Sequence, residues 1–184
     1  LRAMQDALRR INPEGKVVAG DLDPEASSRD VADDFWAMPR TEDGEVDALI
    51  AGCLARSIRA VLPTRDGELA FWSRHRAAFA ISVLVSPLES IETCLDKLAF
   101  AHSGMSMGLP VIPAADNPDA FGDVPFVVKE RFGAGARGIG LDIDLEAARA
   151  HARNLDAPIF QPYVPGSEIS IDGWLDKQGK TVGV

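Results

Sequence analysis

The sequence predicts an α/β protein in two parts: a small, doubly wound α/β domain in residues 1–87 and a second, α+β segment in residues 88–184. Two observations support this division. Up to Pro87, helical patterns alternate with short apolar strand patterns, which is typical of a parallel sheet covered by helices. After Pro87 the pattern changes to a helix, a linker and then strands joined by tight glycine and proline turns.

The first part contains three helix patterns, each followed by a strand pattern. Leu1, Met4, Leu8 and Ile11 recur at helical spacing, and the segment NPEG at 12–15 ends that helix. The later helices are predicted at 45–56 and 68–79, and the strands at 16–20, 58–63 and 81–85. Because the pattern opens on a helix, we expect the first strand of this sheet to precede Leu1.

The second part begins with a helix predicted at 90–103, which the glycines at 104 and 108 end. Asp144 is placed to cap a helix at 145–154. The remaining elements are a linker at 114–125, strands at 126–131, 139–143 and 158–164, a glycine loop at 132–138 and a closing hairpin at 168–184. This part therefore contains a strand, a glycine loop and a second strand in direct succession.

Composition narrows the classes of partner. Apolar residues make up 46% of the chain, which is usual for a folded globular protein. The formal charge of −9 repels phosphate backbones, so we expect no nucleic-acid partner. No apolar run approaches the roughly 20 residues that cross a bilayer, and no signal-peptide pattern opens the chain, so we expect no membrane span and a cytoplasmic location. Cys53 and Cys94 lie far apart, and we expect both to be reduced packing residues.

The glycine loop at 132–138 is the strongest local signal. Gly133, Gly135 and Gly138 match the GxGxxG spacing of a dinucleotide-binding turn. That turn, however, must lead straight into a helix whose N-terminus faces the pyrophosphate, whereas here it leads into the strand pattern IGLDI. Two interpretations remain: a surface hairpin that uses glycine for its turns, or a flexible hairpin whose backbone N–H groups approach a polyphosphate, with Arg137 adding a charged donor.

Neighbouring residues favour the phosphate-binding interpretation. Lys129 lies inside the strand pattern FVVK, where an apolar residue is usual, and alternation turns it away from Val128. Alone it fits the solvent face of an edge strand, and Lys97 alone fits a solvated helix. In the stretch QPYV at 161–164, Pro162 has no backbone N–H to donate to a neighbouring strand. Backbone groups of this stretch are therefore left to pair with the edge of an adenine. Glu168 follows, as a ribose ligand or a surface carboxylate.

Taken together, these segments resemble the ATP-grasp superfamily, particularly the large subunit of carbamoyl phosphate synthase and its relatives. The order and spacing of the segments carry the resemblance more than any one of them. The matching segments are PLESIETCLDK at 87–97 with GLPV at 108–111, FVVK at 126–129 with the glycine loop, FQPYVPGSE at 160–168 and ISIDG at 169–173.

The resemblance implies a Rossmann-like pre-ATP-grasp domain in residues 1–87 and the N-terminal part of an ATP-grasp domain in residues 88–184. It implies that Lys97 and Lys129 hold the phosphates of ATP. The residues implied to close over those phosphates are Gly133, Ala134, Gly135, Ala136, Arg137 and Gly138. The backbone of Gln161, Tyr163 or Val164 is implied to pair with adenine, Glu168 to bind the ribose and Arg65, in the first domain, to contact substrate.

The implied function is the ATP-binding portion of a carbamoyl phosphate synthase-like ligase. Such an enzyme activates a carboxylate or carbonate as an acyl phosphate, which an amine donor then attacks. Mg²⁺ is implied as a second cofactor with ligands downstream of Val184, so no metal ligand is assigned here, and this segment alone is expected to be inactive. A homodimer is compatible with the resemblance. One alternative is a regulatory nucleotide-binding module without turnover. The other is an NAD-dependent oxidoreductase, which is supported only by the GxGxxG spacing.

Overall fold

The computed structural model describes residues 1–176 and 178–183, which form two compact units separated after Leu95. The helices are α1 (Arg2–Ile11), α2 (Val46–Ala55), α3 (Asp66–His75), α4 (Leu88–Leu95), α5 (Lys97–Ser106) and α6 (Leu145–Ala152). The strands are β1 (Val18–Asp21), β2 (Asp34–Ala37), β3 (Ala60–Val61), β4 (Ser82–Val83), β5 (Phe126–Glu130), β6 (Gly140–Ile143), β7 (Pro158–Pro162), β8 (Trp174–Leu175) and β9 (Thr181–Gly183). Helix α4 thus lies with the first unit, although it follows the boundary predicted at residue 87.

The first unit has the predicted alternation of helices and parallel strands. Strand β1 pairs with β2, and β3 pairs with β4, both in parallel, as two separate two-stranded sheets. Sequence analysis missed β2, because its four residues, DFWA, follow an acidic stretch and offer too short a run for a strand pattern.

The core of the first unit is aromatic. Leu49 and Cys53 of α2 pack with Phe71 and Trp72 of α3 and with Phe79. The packing role predicted for Cys53 is confirmed, and its burial raises the pKa of the thiol. The same prediction for Cys94 is wrong, because Cys94 is exposed on α4, where only Ile91 is buried.

Helix α1 is confirmed, but its buried residue is Gln5 rather than one of the apolar residues at helical spacing. The Gln5 amide donates to the Val31 carbonyl at 3.1 Å and to the Asp33 carboxylate at 2.9 Å. Asp33 also accepts from Arg9 and from the backbone N–H of Val17. These bonds lower the pKa of Asp33, the Val17 bond most of all, and they tie α1 to the entry of β1.

A close contact between α2 and the missed strand β2 gives a test of this packing. A Cβ at Gly52 would clash with the ring carbon Cζ2 of Trp36, whereas a Cβ at Gly67 of α3 meets nothing within 4 Å. We expect Gly52→Ala to lower the free energy of unfolding by about 1 to 3 kcal/mol through overpacking. Gly67→Ala is the matched control, and we expect it to leave stability unchanged or to raise it by up to about 1 kcal/mol. Thermal denaturation measures both; equal effects would contradict the contact.

The second unit is built on a three-stranded antiparallel sheet in the order β6–β5–β7. Helix α6 covers one face, where Ala148 packs on Phe126, Val128 and Phe160. Helix α5 covers the other face through a cluster of Leu98, Ala101, Ala114 and Ile159. Strands β8 and β9 form a separate antiparallel hairpin. Because successive residues of β7, Ile159 and Phe160, enter opposite clusters, the sheet is buried on both sides.

Two sequence predictions for this unit need correction. The single helix predicted at 90–103 is two helices, α4 and α5, interrupted at Asp96. The Asp96 carboxylate accepts hydrogen bonds from the backbone N–H groups of Leu98 and Ala99, so it starts a new helix. The closing hairpin predicted at 168–184 begins only at Trp174. No helix within the described residues has the length and apolar character needed to cross a membrane.

Candidate functional site

Lys129 lies in the central strand of the second unit. Alternation along β5 turns Phe126 and Val128 toward α6, so Lys129 lies on the opposite face. Its register partner is Ile159, which packs against α5. An edge strand facing solvent is therefore excluded as the explanation of this lysine.

The electrostatics of Lys129 are unfavourable in this structure. Burial lowers its pKa because low-dielectric surroundings disfavour the ammonium form, and the positive charge of Lys97 lowers it further. Within the described residues, neither lysine takes part in an ion pair. Two neighbouring cations without a carboxylate partner form a site at which an anion relieves their repulsion.

Lys97, the first residue of α5, joins this helix to the beginning of the glycine loop. Its ammonium Nζ donates to the Gly133 carbonyl at 2.7 Å and to the Arg131 carbonyl at 3.3 Å. Its backbone N–H also donates to the Arg131 carbonyl, at 3.2 Å. An ammonium group has three N–H donors, so one donor is left for a ligand at this position.

An ion pair next to Lys97 fixes this arrangement. The Arg131 guanidinium donates through Nε and Nη2 to the two carboxylate oxygens of Asp96, the residue that caps α5. Hydrogen bonding from Arg131 and from the capped backbone lowers the pKa of Asp96 from 3.8 to about 2. Asp96 therefore connects the start of α5 to the end of β5 and holds Lys97 over the loop. Sequence analysis missed this role, although an aspartate three residues before Ala99 is an N-cap signal.

The glycine loop has the predicted strand–loop–strand context. It leaves β5 and enters β6, which pairs antiparallel with β5, so the dinucleotide-binding interpretation is wrong. Residues 132–139 are exposed. Gly133, Gly135 and Gly138 have φ angles of +132°, +76° and +66°, and Ala136 has +53°. Left-handed conformations of this kind bring successive backbone N–H groups to one concave side, which suits an anion.

Gln161 lies on the lysine-bearing face of the sheet. Gln161 of β7 pairs with Val127 of β5, and Ile159 of β7 pairs with Lys129 of β5. Gln161 and Ile159 are two residues apart on β7, so their side chains lie on the same face of the sheet as Lys129. The Gln161 side-chain amide donates to the Ile112 carbonyl at 3.3 Å. Lys97, Lys129, the loop and Gln161 are thus brought to one side of the second unit.

The other residues proposed for adenine and ribose lie beyond the end of β7. The Tyr163 N–H donates to the Pro125 carbonyl at 2.8 Å, so only its carbonyl is left for a base. Val164 is exposed and has no backbone hydrogen bond to the rest of the described chain. Glu168 is exposed and lies outside the helices and strands, and none of the contacts given above connects it to the lysines.

His151 is a second contact of the glycine loop that sequence analysis missed. Its Nε2 lies 2.9 Å from the Gly138 carbonyl, at the end of the loop opposite Gly133. Nothing in the sequence indicates this contact, because it depends on how α6 packs against the sheet.

In the first unit, Arg65 lines a small cavity of about 70 Å³. The cavity lies where β1 and β2 end, and its lining includes Gly20, Asp21, Met38, Thr41, Thr64 and Glu68. Glu68 accepts hydrogen bonds from the backbone N–H groups of Thr64 and Arg65 and so shapes the cavity wall. Small ligands of α/β sheets bind at such carboxyl ends of parallel strands.

A metal site is not assigned to this chain. Across residues 1–176 and 178–183, no three His, Cys, Asp or Glu side chains are grouped to hold a metal ion.

Comparison with known families connects the first unit to one of them. Residues 2–85 match the family described as PylC-like, N-terminal domain. This match covers less than half of the chain. No curated protein matches the sequence.

Solved structures extend the comparison to both units. N5-carboxyaminoimidazole ribonucleotide synthetase from Thermus thermophilus superposes with a TM-score of 0.62 at 19% identity, over 86% of this chain and 43% of that one. The same enzyme from Thermotoga maritima gives 0.61 at 13% identity, over 95% and 47%. Biotin carboxylase from Campylobacter jejuni, in a β,γ-ATP complex, gives 0.59 at 20% identity, over 88% and 43%. The chain spans less than half the length of each, and at these identities the likeness establishes the fold.

Proposed function

We propose that this chain, whose fold is that of the ATP-grasp enzymes over less than half their length, is the ATP-binding portion of a ligase. The ligase would activate a carboxylate or carbonate as an acyl phosphate. The supporting observation is the pair of lysines, Lys97 and Lys129, which lack ion-pair partners among the described residues and lie beside an exposed glycine hairpin. A polyphosphate fits this arrangement because it neutralises both cations and accepts hydrogen bonds from the loop backbone.

The chain's own residues bind and orient the nucleotide. Lys129 reaches the phosphates from the sheet, and Lys97 adds its remaining donor from the start of α5. The loop N–H groups cover the phosphates, and Arg137 at the exposed tip supplies a further charge. ATP, when bound, supplies the phosphoryl group for transfer. Positioning and charge neutralisation provide most of the catalysis of such a step.

The base and the ribose are assigned to the segment after β7. The backbone of Gln161, Tyr163 or Val164 is the proposed contact of the adenine edge, and Glu168 is the proposed ribose ligand. Of these groups, the Tyr163 carbonyl and the backbone of Val164 have no backbone partner among the described residues. Mg²⁺, when bound, would supply charge neutralisation for phosphoryl transfer, and its protein ligands are not assigned to this chain.

The substrate is proposed to contact the first unit. The cavity is lined by Thr41, Thr64 and Arg65 together with two acidic residues, Asp21 and Glu68, so Arg65 is the proposed contact of a small carboxylate or bicarbonate. The carbamoyl phosphate synthase-like reaction, the amine donor and a homodimer remain predictions. The alternative is a nucleotide-binding module without turnover; ATP consumption by the full-length protein, assayed with bicarbonate and with carboxylates, separates the two.

Titration of this chain with nucleotides tests the proposal directly. We expect calorimetry to show binding of ATP and a weaker interaction with adenosine, because adenosine lacks the phosphates that Lys97 and Lys129 neutralise. NADH serves as the competing ligand for the dinucleotide interpretation. Binding of NADH without binding of ATP would contradict the proposal.

A further inference from the structure

Contacts from two different helices hold the two ends of the glycine loop. Lys97 of α5 binds the Gly133 carbonyl at the first end, and His151 of α6 binds the Gly138 carbonyl at the second. Helices α5 and α6 cover opposite faces of the sheet. The loop is therefore held from both faces, and no hydrogen bond found in the described residues ties residues 134–137 to another element.

The chemistry of the second contact defines the state of the imidazole. A carbonyl oxygen can only accept a hydrogen bond, so Nε2 of His151 must carry the proton at this contact. The ring also lies close enough to Gly140 of β6 to crowd a side chain there. A Cβ at Gly140 would lie 3.1 Å from Cδ2 of His151 and 2.7 Å from Cδ1 of Ile143. Glycine at this position thus permits the imidazole to reach the loop.

The His151 bond orients one peptide group of the loop. The Gly138–Ile139 peptide is trans, and in a trans peptide the C=O and N–H point in opposite directions. With the Gly138 carbonyl directed to α6, the Ile139 N–H is directed away from α6.

We propose that His151 is a positioning residue of the nucleotide site, which fixes the Gly138–Ile139 peptide and so holds the second end of the glycine loop in place for the polyphosphate. This inference rests on the proposed function, since it requires a polyphosphate on the lysine-bearing face. His151 acts through the peptide and does not touch the nucleotide itself.

Two substitutions of His151 test the proposal by calorimetry with ATP and with adenosine. His151→Phe keeps an aromatic ring but removes the donor, and we expect ATP affinity to fall about three- to tenfold, the effect of one lost hydrogen bond. His151→Gln keeps an N–H donor, and we expect it to restore most of that affinity. Adenosine affinity should stay unchanged in both variants, because adenosine carries no phosphate.

The control is His102→Phe, the same substitution at an exposed position of α5, which we expect to leave ATP affinity unchanged. In ¹⁵N-labelled protein, the amide resonances of the glycine loop should shift on addition of ATP in the wild type and shift less in His151→Phe. His151→Ala provides a second donor-free variant should the Phe variant fail to fold.

The outcomes distinguish the two proposals. A wild-type chain that binds no ATP overturns both. A chain that binds ATP, but whose His151→Phe and His151→Ala variants bind it equally well, overturns the role of His151 and leaves the proposed function standing. An equal loss of ATP and adenosine affinity assigns His151 to general folding and also overturns its positioning role.

Discussion

Replacement of Lys129 by Met is expected to weaken ATP binding by about 1 to 3 kcal/mol, or about 5- to 150-fold in Kd. The reason is the loss of a charge-assisted phosphate contact from a partly buried strand position. The same change should not destabilise the free protein, because methionine suits a strand position that packs beside Ile159. Calorimetry with ATP and thermal denaturation without it measure the two effects.

Lys129→Met is expected to weaken ATP binding without lowering stability, and this difference distinguishes it from a variant that is simply misfolded. Burial and Lys97 hold the pKa of Lys129 below its usual range, so the charged form opposes folding, and removal of that charge is expected to preserve or raise the melting temperature. Lys16→Met, at an exposed position of the first unit, is the matched control and should change neither quantity. A Lys129→Met variant that loses stability while its ATP affinity is unchanged would show that Lys129 has a structural role and does not bind the phosphates.

Asp96→Ala is expected to lower the free energy of unfolding of the second unit by about 2 kcal/mol. The substitution removes the cap of α5 and leaves Arg131 without its carboxylate partner. Asp144→Ala is the matched control, because Asp144 caps α6 through the Ala147 N–H alone. We expect the control to cost about 1 kcal/mol. Chemical denaturation of the three proteins gives the comparison.

The pH dependence of the Asp96 effect follows from its lowered pKa. The folded protein holds Asp96 at a pKa of about 2, against an ordinary value of 3.8, so the ionised carboxylate stabilises the fold. This contribution is fully present above about pH 4 and is lost as the pH falls through 2. The stability difference between the wild type and Asp96→Ala should therefore narrow across this range. A difference that stays constant would contradict the lowered pKa of Asp96 and the stabilising role of its ionised form.

Local patterns in the sequence predicted much of the second unit. The glycine loop between two strands, the Asp144 cap and the strand that carries Lys129 are all confirmed, because each depends on residues within a few positions of one another. The helix break at Asp96 was not predicted from local patterns. The apolar spacing of 90–103 is compatible with one continuous helix, and only the bonds from Asp96 to the backbone and to Arg131, 35 residues away, divide it.

Local patterns predicted most of the elements and their order, apart from β2 and the break between α4 and α5. They predicted helices from apolar spacing, the exposed hairpin from its glycines and a lysine inside a strand. The burial, charge repulsion and hydrogen bonding between these elements depend on the tertiary structure. It made β5 a central strand, which desolvates Lys129, and it placed Lys97 close enough to repel it. It also buried Gln5 in α1 and set His151 against Gly138. The physical reason is that burial, charge repulsion and hydrogen bonding depend on distances between residues far apart in the chain, which local sequence patterns do not encode.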